Sequence, residues 1–386
     1  MKAYLDHAAT TPLHPKVLEK MLPFLKEEFG NPSSVHSFGK NTRVAIEEAR
    51  ETIAAFINAD PGEIYFTSGG TEANNFIVRG IARAEFKETG RNKIISTKLE
   101  HSSVKDSVKE LSFEGYPVDY LTPLPDTTSS PESIIPFLDD KTSLVSVINI
   151  NNETGAVNNL KLIRELIAGK NIFLHTDSVQ AFGKIPIDVK GMGISALTAS
   201  AHKIMGPKGI GIAFIASGTP VNPLILGGSQ ERKRRGGTEN PALIAGFAEA
   251  VKIAGAAMKE NFSYVSSLKS EMVKGINSID NEGIEINNTH GSSPYILSVT
   301  FKSSFYRNDT EAMLMYLDIN GVAASSGAAC SSGTLKPSHV IIASGKTEGD
   351  AEGTFRFSFG PAGTMDEIHH ALDVIKKMCG KFGRKS

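Results

Sequence analysis

Along roughly the first 240 residues, short apolar runs alternate with amphipathic stretches. The runs at 64–67, 93–97, 144–150, 172–175, 196–199 and 211–215 read as strands. Most are continuous rather than alternating, the pattern of a parallel sheet covered on both faces. Helical periodicity occupies 43–56, 72–88, 104–114 and 160–168 between them. Interleaved strands and helices predict a three-layer α/β domain. Beyond about residue 240 the pattern changes to one or two long helices over 241–280, a strand at 295–301, a helix at 310–320, a strand at 353–358 and a last helix at 366–379. This predicts a smaller α+β unit. The expected division is a large domain over residues 13–245 and a small one made of residues 1–12 and 246–386. The polar, Pro-bearing segment 126–131 reads as a surface loop.

Composition narrows the function classes. Of 386 residues, 41 are Lys or Arg and 42 Asp or Glu. That balance gives no reason to expect a nucleic acid, because proteins that track phosphates carry a basic excess. The one basic run, Arg232-Lys233-Arg234-Arg235, is short. Two cysteines, Cys330 and Cys379, are too few for a disulfide framework and suit a reducing compartment. The N-terminus has no apolar signal-peptide core, and no run of about 18 apolar residues stands out. The expectation is a soluble, cytoplasmic protein with no membrane or nucleic-acid partner.

Three stretches carry candidate chemistry. In Phe66-Thr67-Ser68-Gly69-Gly70-Thr71-Glu72-Ala73-Asn74-Asn75 a strand ends, two glycines follow and a helix begins. A helix N-terminus of this kind offers free N–H groups to a phosphate. Read alone, it is equally a Gly-rich turn with Thr71 as helix N-cap. In Phe173-Leu174-His175-Thr176-Asp177-Ser178-Val179-Gln180 an apolar strand delivers Asp177 at its C-terminal end, the edge where open α/β sheets bind ligands. Asp177 there can pair with a protonated ring nitrogen, with Gln180 on the same face, or can simply cap a helix. In Ser200-Ala201-His202-Lys203 a lysine follows a strand, as a Schiff-base lysine must, while Lys208 sits in the turn beyond and reads as surface. A phosphate cup, a strand-end Asp and a strand-borne Lys, in that order, specify pyridoxal phosphate.

With these stretches in place the chain resembles the NifS/IscS-type cysteine desulfurases, within the class-V aminotransferases. The resemblance runs from Tyr4-Leu5-Asp6-His7-Ala8-Ala9-Thr10-Thr11-Pro12 to Phe355-Arg356-Phe357-Ser358-Phe359-Gly360, nearly the whole chain. It includes Gly30-Asn31-Pro32-Ser33-Ser34, Glu100-His101, Asn151-Asn152-Glu153-Thr154-Gly155, Arg235-Gly236-Gly237-Thr238 and Ser325-Ser326-Gly327-Ala328-Ala329-Cys330-Ser331-Ser332-Gly333. The last looks like the family's mobile loop with its catalytic cysteine.

The resemblance implies an aspartate-aminotransferase-like fold. In it Lys203 would hold the cofactor aldehyde, Asp177 would pair with the pyridinium, and Gln180 would bond the ring hydroxyl. His101 would stack on the ring and shuttle protons, and Asn152 would lie beside the ring oxygen and substrate. Gly70, Thr71, Ser200 and His202 would bind the phosphate. Thr238 would add a contact from the partner subunit of a homodimer, and Arg356 would fork onto the substrate carboxylate. Without the resemblance His101 reads as a polar helix-start residue, and His7, His14, His36, His290, His369 and His370 have weaker cases still. No Cys/His cluster has zinc spacing, so no metal is expected.

The two cysteines differ in setting. Cys379 ends an amphipathic helix among Ile375, Lys376, Lys377 and Met378, whereas Cys330 lies among Ser, Gly and Ala, which cannot pack a core. A thiol that must visit a cofactor and then a partner needs such a loop. The implied reaction takes sulfur from L-cysteine, leaves alanine, and passes a Cys330 persulfide to an acceptor protein such as an iron–sulfur scaffold. A selenocysteine lyase, another β-lyase or an aminotransferase of this fold is the rival; an aminotransferase has no use for a thiol at 330. A non-catalytic scaffold is a third reading, against which the full set Lys203, Asp177, His101, Cys330 and Arg356 stands. The chain departs from the family at 340–352, which is less regular, and at Gly70 and Gly236, where relatives often carry other small residues. Longer members carry a C-terminal scaffold-docking tail, whereas this sequence stops at Ser386 soon after its last helix, leaving the acceptor open.

Overall fold

A computed structural model describes residues 1–288, 291–327, 329–331 and 334–384, without the side chains of 329–331 and 334–336. The chain opens with β1 (Ala3–Tyr4), α1 (Pro15–Lys26) and α2 (Ser37–Phe56). Then follow β2 (Ile64–Thr67), α3 (Gly70–Thr89), β3 (Lys93–Thr97), α4 (Ser102–Phe113), β4 (Val118–Leu121), β5 (Thr142–Ser146), α5 (Leu160–Leu166), β6 (Phe173–Asp177), β7 (Ala196–Ser200) and β8 (Gly211–Ile215). These strands form one seven-stranded sheet in the order β2-β8-β7-β6-β5-β3-β4.

The continuous apolar runs have a direct explanation. Tyr65, Ile94, Leu144, Ala196 and Ala213 join one buried cluster, and their neighbours Phe66, Ile95, Val145, Leu197 and Phe214 join another. Successive side chains point to opposite faces, and both faces are covered. Phe76 and Ile77 of α3 and Val104, Val108 and Leu111 of α4 cover the first face. On the other lie Ile46 and Ile53 of α2. Burial of each such side chain contributes roughly 1.5–3 kcal/mol.

The sheet is not wholly parallel. Strand β8 runs antiparallel to both β7 and β2, while β3 to β7 are parallel. The link from β7 to β8 is too short for a crossover helix, which a parallel return requires. Two reversals leave β2 parallel to β7, so β2, β3, β6 and β7 all end at one edge. The run expected to continue to residue 150 leaves the ladder at Ser146, yet Val147 N still donates to His175 O and Asn149 N to Asp177 O.

The single turn α6 (Gln230–Lys233) follows, with left-handed backbone at Glu231 and Arg232 (φ 42° and 55°). Next is α7 (Pro241–Ile279), begun by the Asn240 side chain accepting from Leu243 N and by Pro241 in its first turn. One helix, not two, runs through this stretch, ending at Ile279. It is long and apolar enough to cross a membrane by length and composition, but Phe247, Ala250 and Val251 join the core cluster that also holds residues of α1 and α2.

The remaining elements are β9 (Ile284–Ile286), β10 (Ile296–Phe301), α8 (Thr310–Ile319), β11 (Val322–Ala323), β12 (Ser325–Ser326), β13 (Ala329–Ser331), β14 (Thr334–Lys336), α9 (His339–Ala343), α10 (Glu348–Glu352), β15 (Thr354–Ser358) and α11 (Met365–Phe382). An antiparallel sheet β12-β15-β10-β9 forms the second centre, and β13 pairs with β14. The irregular stretch 340–352 thus holds most of α9 and all of α10. A capping box of Thr364 and Glu367 starts α11. The N-terminus joins this part of the molecule: β1 pairs with β11, and Asp6 bridges Ser358.

Candidate active site

The common strand edge carries a cavity of about 330 Å³ lined by Ala8, Ala9, Gly70, Thr71, Asn74, His101, Ser103, Ile148, Asn152, Asp177, Val179, Gln180, Ser200, His202, Lys203 and Arg356. Ten of the residues singled out in the sequence therefore meet here: Gly70, Thr71, His101, Asn152, Asp177, Gln180, Ser200, His202, Lys203 and Arg356. Thr238 is exposed and does not line the cavity of its own chain. The backbone of Cys330 lies in β13 opposite Leu335 of β14; its side chain, and residues 328, 332 and 333 of the same segment, lie outside the described residues. So does His290.

The helix that opens this cavity starts two residues earlier than the motif suggested. Gly69, not Thr71, is the N-cap of α3, and no side chain caps it. The first intrahelical bond to Gly69 O comes from Ala73 N, so the N–H groups at the start of the helix face outward for an anion. Gly70 has a steric role: a Cβ there would meet Val179 Cγ2 at 2.9 Å.

Asp177 is buried at the end of β6, and its carboxylate accepts from Val179 N (3.0 Å) and Asn74 Nδ2 (2.7 Å). Asn74 also donates to Ser103 Oγ (2.8 Å), which in turn meets His101 Nδ1 at 2.8 Å. His101 is the N-cap of α4, its Nδ1 accepting from Ser103 N. A single hydrogen-bonded line thus joins His101 to Asp177. The sequence motif alone gives Asn74 no role; its place one turn after Gly70 is the available signal.

Lys203 Nζ donates to Ala8 O (2.6 Å) and Ala9 O (2.7 Å). Burial, with Arg356 nearby, lowers its pKa to about 8, against the opposing pull of Asp6 and Asp177. Burial and then Lys203, Lys208 and Lys184 lower His202 to about 4. Arg356 on β15 donates to Asn152 O and to Asp6 Oδ1, both at 2.9 Å. Among the described residues its Nε and the Oδ1 of Asn152 are buried without a partner, as is Asn74 Oδ1. The segment bearing Cys330 leaves the sheet beside this arginine, since Ser325 of β12 pairs with Arg356. At the segment's base Glu153 is buried, accepts from Ser338 Oγ, and occupies the space a Cβ at Gly327 would fill. Burial raises its pKa to about 7 against the Ser338 bond.

Residues 3–370 match the family model of class-V aminotransferases. The chain belongs to this family, on its NifS/IscS-type cysteine desulfurase branch. A cysteine desulfurase IscS of Clostridium botulinum is 42% identical over 98% of this chain and 94% of its own length. The structure of a NifS-like protein superposes with a TM-score of 0.91 at 32% identity, covering 99% of this chain and all of the other. A further structure, SspA in complex with cysteine, gives a TM-score of 0.81 at 32% identity over 94% of this chain and all of that one.

The family uses pyridoxal phosphate, and the residues present fit that group. Uncapped N–H groups at α3 suit the phosphate, a buried carboxylate on β6 suits a ring cation, and an amine lowered towards neutrality suits an aldehyde. The unpartnered polar atoms of Asn74, Asn152 and Arg356 belong to residues that line the same space.

Proposed function

We propose that the chain is a pyridoxal-phosphate-dependent cysteine desulfurase that converts L-cysteine to L-alanine and carries the sulfur as a persulfide on Cys330. The observation that carries this reading is the convergence of Lys203, Asp177, His101 and Arg356 on one cavity. The desulfurases matched over nearly the whole chain, and the cysteine bound by one structural relative, support the substrate. A reducing, cytoplasmic setting suits a mechanism that needs a free thiol.

Gly70, Thr71, Ser200 and His202 would hold the phosphate, with Thr238 of a second copy completing it in a homodimer. Gln180 and Asn152 would hold the ring oxygen. The bound cofactor supplies an electron sink adjacent to the substrate Cα. Asp177 keeps the ring nitrogen protonated, and the Asn74 bond fixes its carboxylate. Arg356 forks onto the substrate carboxylate. Lys203, whose lowered pKa leaves a neutral amine within reach at physiological pH, takes the Cα proton. His101, fixed by Ser103 at Nδ1, would move a proton at Nε2. The Cys330 thiolate attacks the substrate sulfur: the S–S bond forms, the Cβ–S bond breaks, and the carbon fragment, protonated at Cβ, leaves as alanine. The persulfide then passes to an acceptor protein, such as one assembling iron–sulfur clusters.

The test is alanine and sulfide release from L-cysteine under reductant by the cofactor-loaded wild type and C330A. Equimolar products from the wild type alone are expected. Equal turnover by C330A would remove the persulfide step and favour a lyase.

A further inference from the structure

One turn after Gln180, at the next position beyond the left-handed Gly183 (φ 73°), Lys184 is folded into the interior with 7% of its surface exposed. The charges that bear on it, Lys203 and Arg356, are both positive, and burial with these two lowers its pKa to about 7. Its Nζ lies 5.3 Å from the Tyr295 ring centroid and donates to Gln180 Oε1 at 2.9 Å. A buried amine with no counter-ion among the described residues is costly, so this arrangement calls for a physical reason.

The geometry of Gln180 supplies one. Its Nε2 donates to Ala8 O at 2.9 Å, the same carbonyl that accepts from Lys203 Nζ. A carbonyl only accepts, so this end of the amide must be the NH2 group, and Oε1 must face Lys184. With both ends fixed, Gln180 has one N–H left for an acceptor, and it lines the cavity. We propose that Lys184 is a positioning residue: it holds the Gln180 carbonyl, so that the free amide N–H is preset for the anionic ring oxygen of bound pyridoxal phosphate, and it adds positive potential on that side. This rests on the cavity being a pyridoxal-phosphate site.

The experiment is a double-mutant cycle on apoenzyme reconstituted without substrate, using wild type, K184M, Q180A and K184M/Q180A. The readouts are the pyridoxal phosphate dissociation constant and the absorbance bands of the bound cofactor at fixed pH. K184M should weaken binding about tenfold and redistribute the bands, as loss of a charge-assisted bond does. In the Q180A background the same change should cost less than about twofold, because the two act as one unit. Wild-type affinity and bands in K184M, or independent multiplicative effects, would overturn the role of Lys184 alone. If K184M does not fold, K184Q runs the same cycle, and an effect that survives intact in Q180A overturns the proposal. A folded wild type that takes up no pyridoxal phosphate would overturn the reading of the cavity, and this inference with it.

Discussion

Arg356 Nη2 pairs with Asp6 Oδ1 at 2.9 Å, so the guanidinium proposed to receive the substrate carboxylate already faces a carboxylate of its own chain. The two residues are 350 positions apart and meet because the N-terminal segment bridges β15 at Ser358. Together with Asn152 O, Asp6 fixes the plane of the fork. D6A should therefore raise KM for L-cysteine about tenfold with a smaller change in kcat, the mark of lost ground-state binding. Steady-state alanine formation measures it. An unchanged KM would remove Asp6 from substrate positioning.

Asn74 uses both amide hydrogens, one on Asp177 and one on Ser103. N74A strips Asp177 Oδ2 of its donor in a buried setting. A loss of about 1–2 kcal/mol is expected, read as a five- to thirtyfold weaker pyridoxal phosphate dissociation constant by titration of apoenzyme. Affinity equal to wild type would show that Val179 N alone suffices.

Glu153 gives a pH signature. Its pKa is raised from 4.5 to about 7 by burial, so between those values the folded chain keeps a proton that the unfolded chain has lost. The stabilisation this represents is complete below about pH 4.5 and disappears as pH rises through about 7. E153Q imitates the protonated form. Its melting midpoint should match wild type near pH 5 and exceed it near pH 8, by on the order of 2 kcal/mol in stability. Parallel calorimetric curves at the two pH values would contradict this.

Glu231 takes Arg50 through both Nη atoms and also accepts from Phe66 N, while its own backbone is left-handed. E231A would leave the buried Arg50 with Ile64 O and the half-exposed Glu47 in place of its buried counter-ion, costing about 3 kcal/mol. R50M/E231M, which removes both charges, should lose less than E231A. The denaturant midpoints of the variants decide it, and a double variant as weak as the single one would place the cost in the turn rather than in the pair.

Local order in this protein was legible from local signals. The strands at 64–67, 93–97 and 211–215 match the observed bounds, because each is an apolar run with a turn at its end. So was part of the cavity's lining: Gly70 and Lys203 follow strands and Asp177 ends one, and strands of an α/β sheet deliver their ends to one edge. Less visible were α1, whose only buried residues are Val17 and Met21 and which contains Pro23, and β4, a half-buried edge strand. Neither has enough apolar pattern to stand out.

What the sequence alone determined, then, is which residue types stand at which strand ends, since that depends on neighbours a few positions away. The tertiary structure decided the pairings: the antiparallel insertion of β8, the reach of Asp6 to Arg356, Asn74 beneath Asp177, and Lys184 turned inward onto Gln180. A lysine or aspartate reads as surface charge in a string. Only the packing of distant segments removes water from around it, and with the water goes the screening that would have made its neighbours irrelevant.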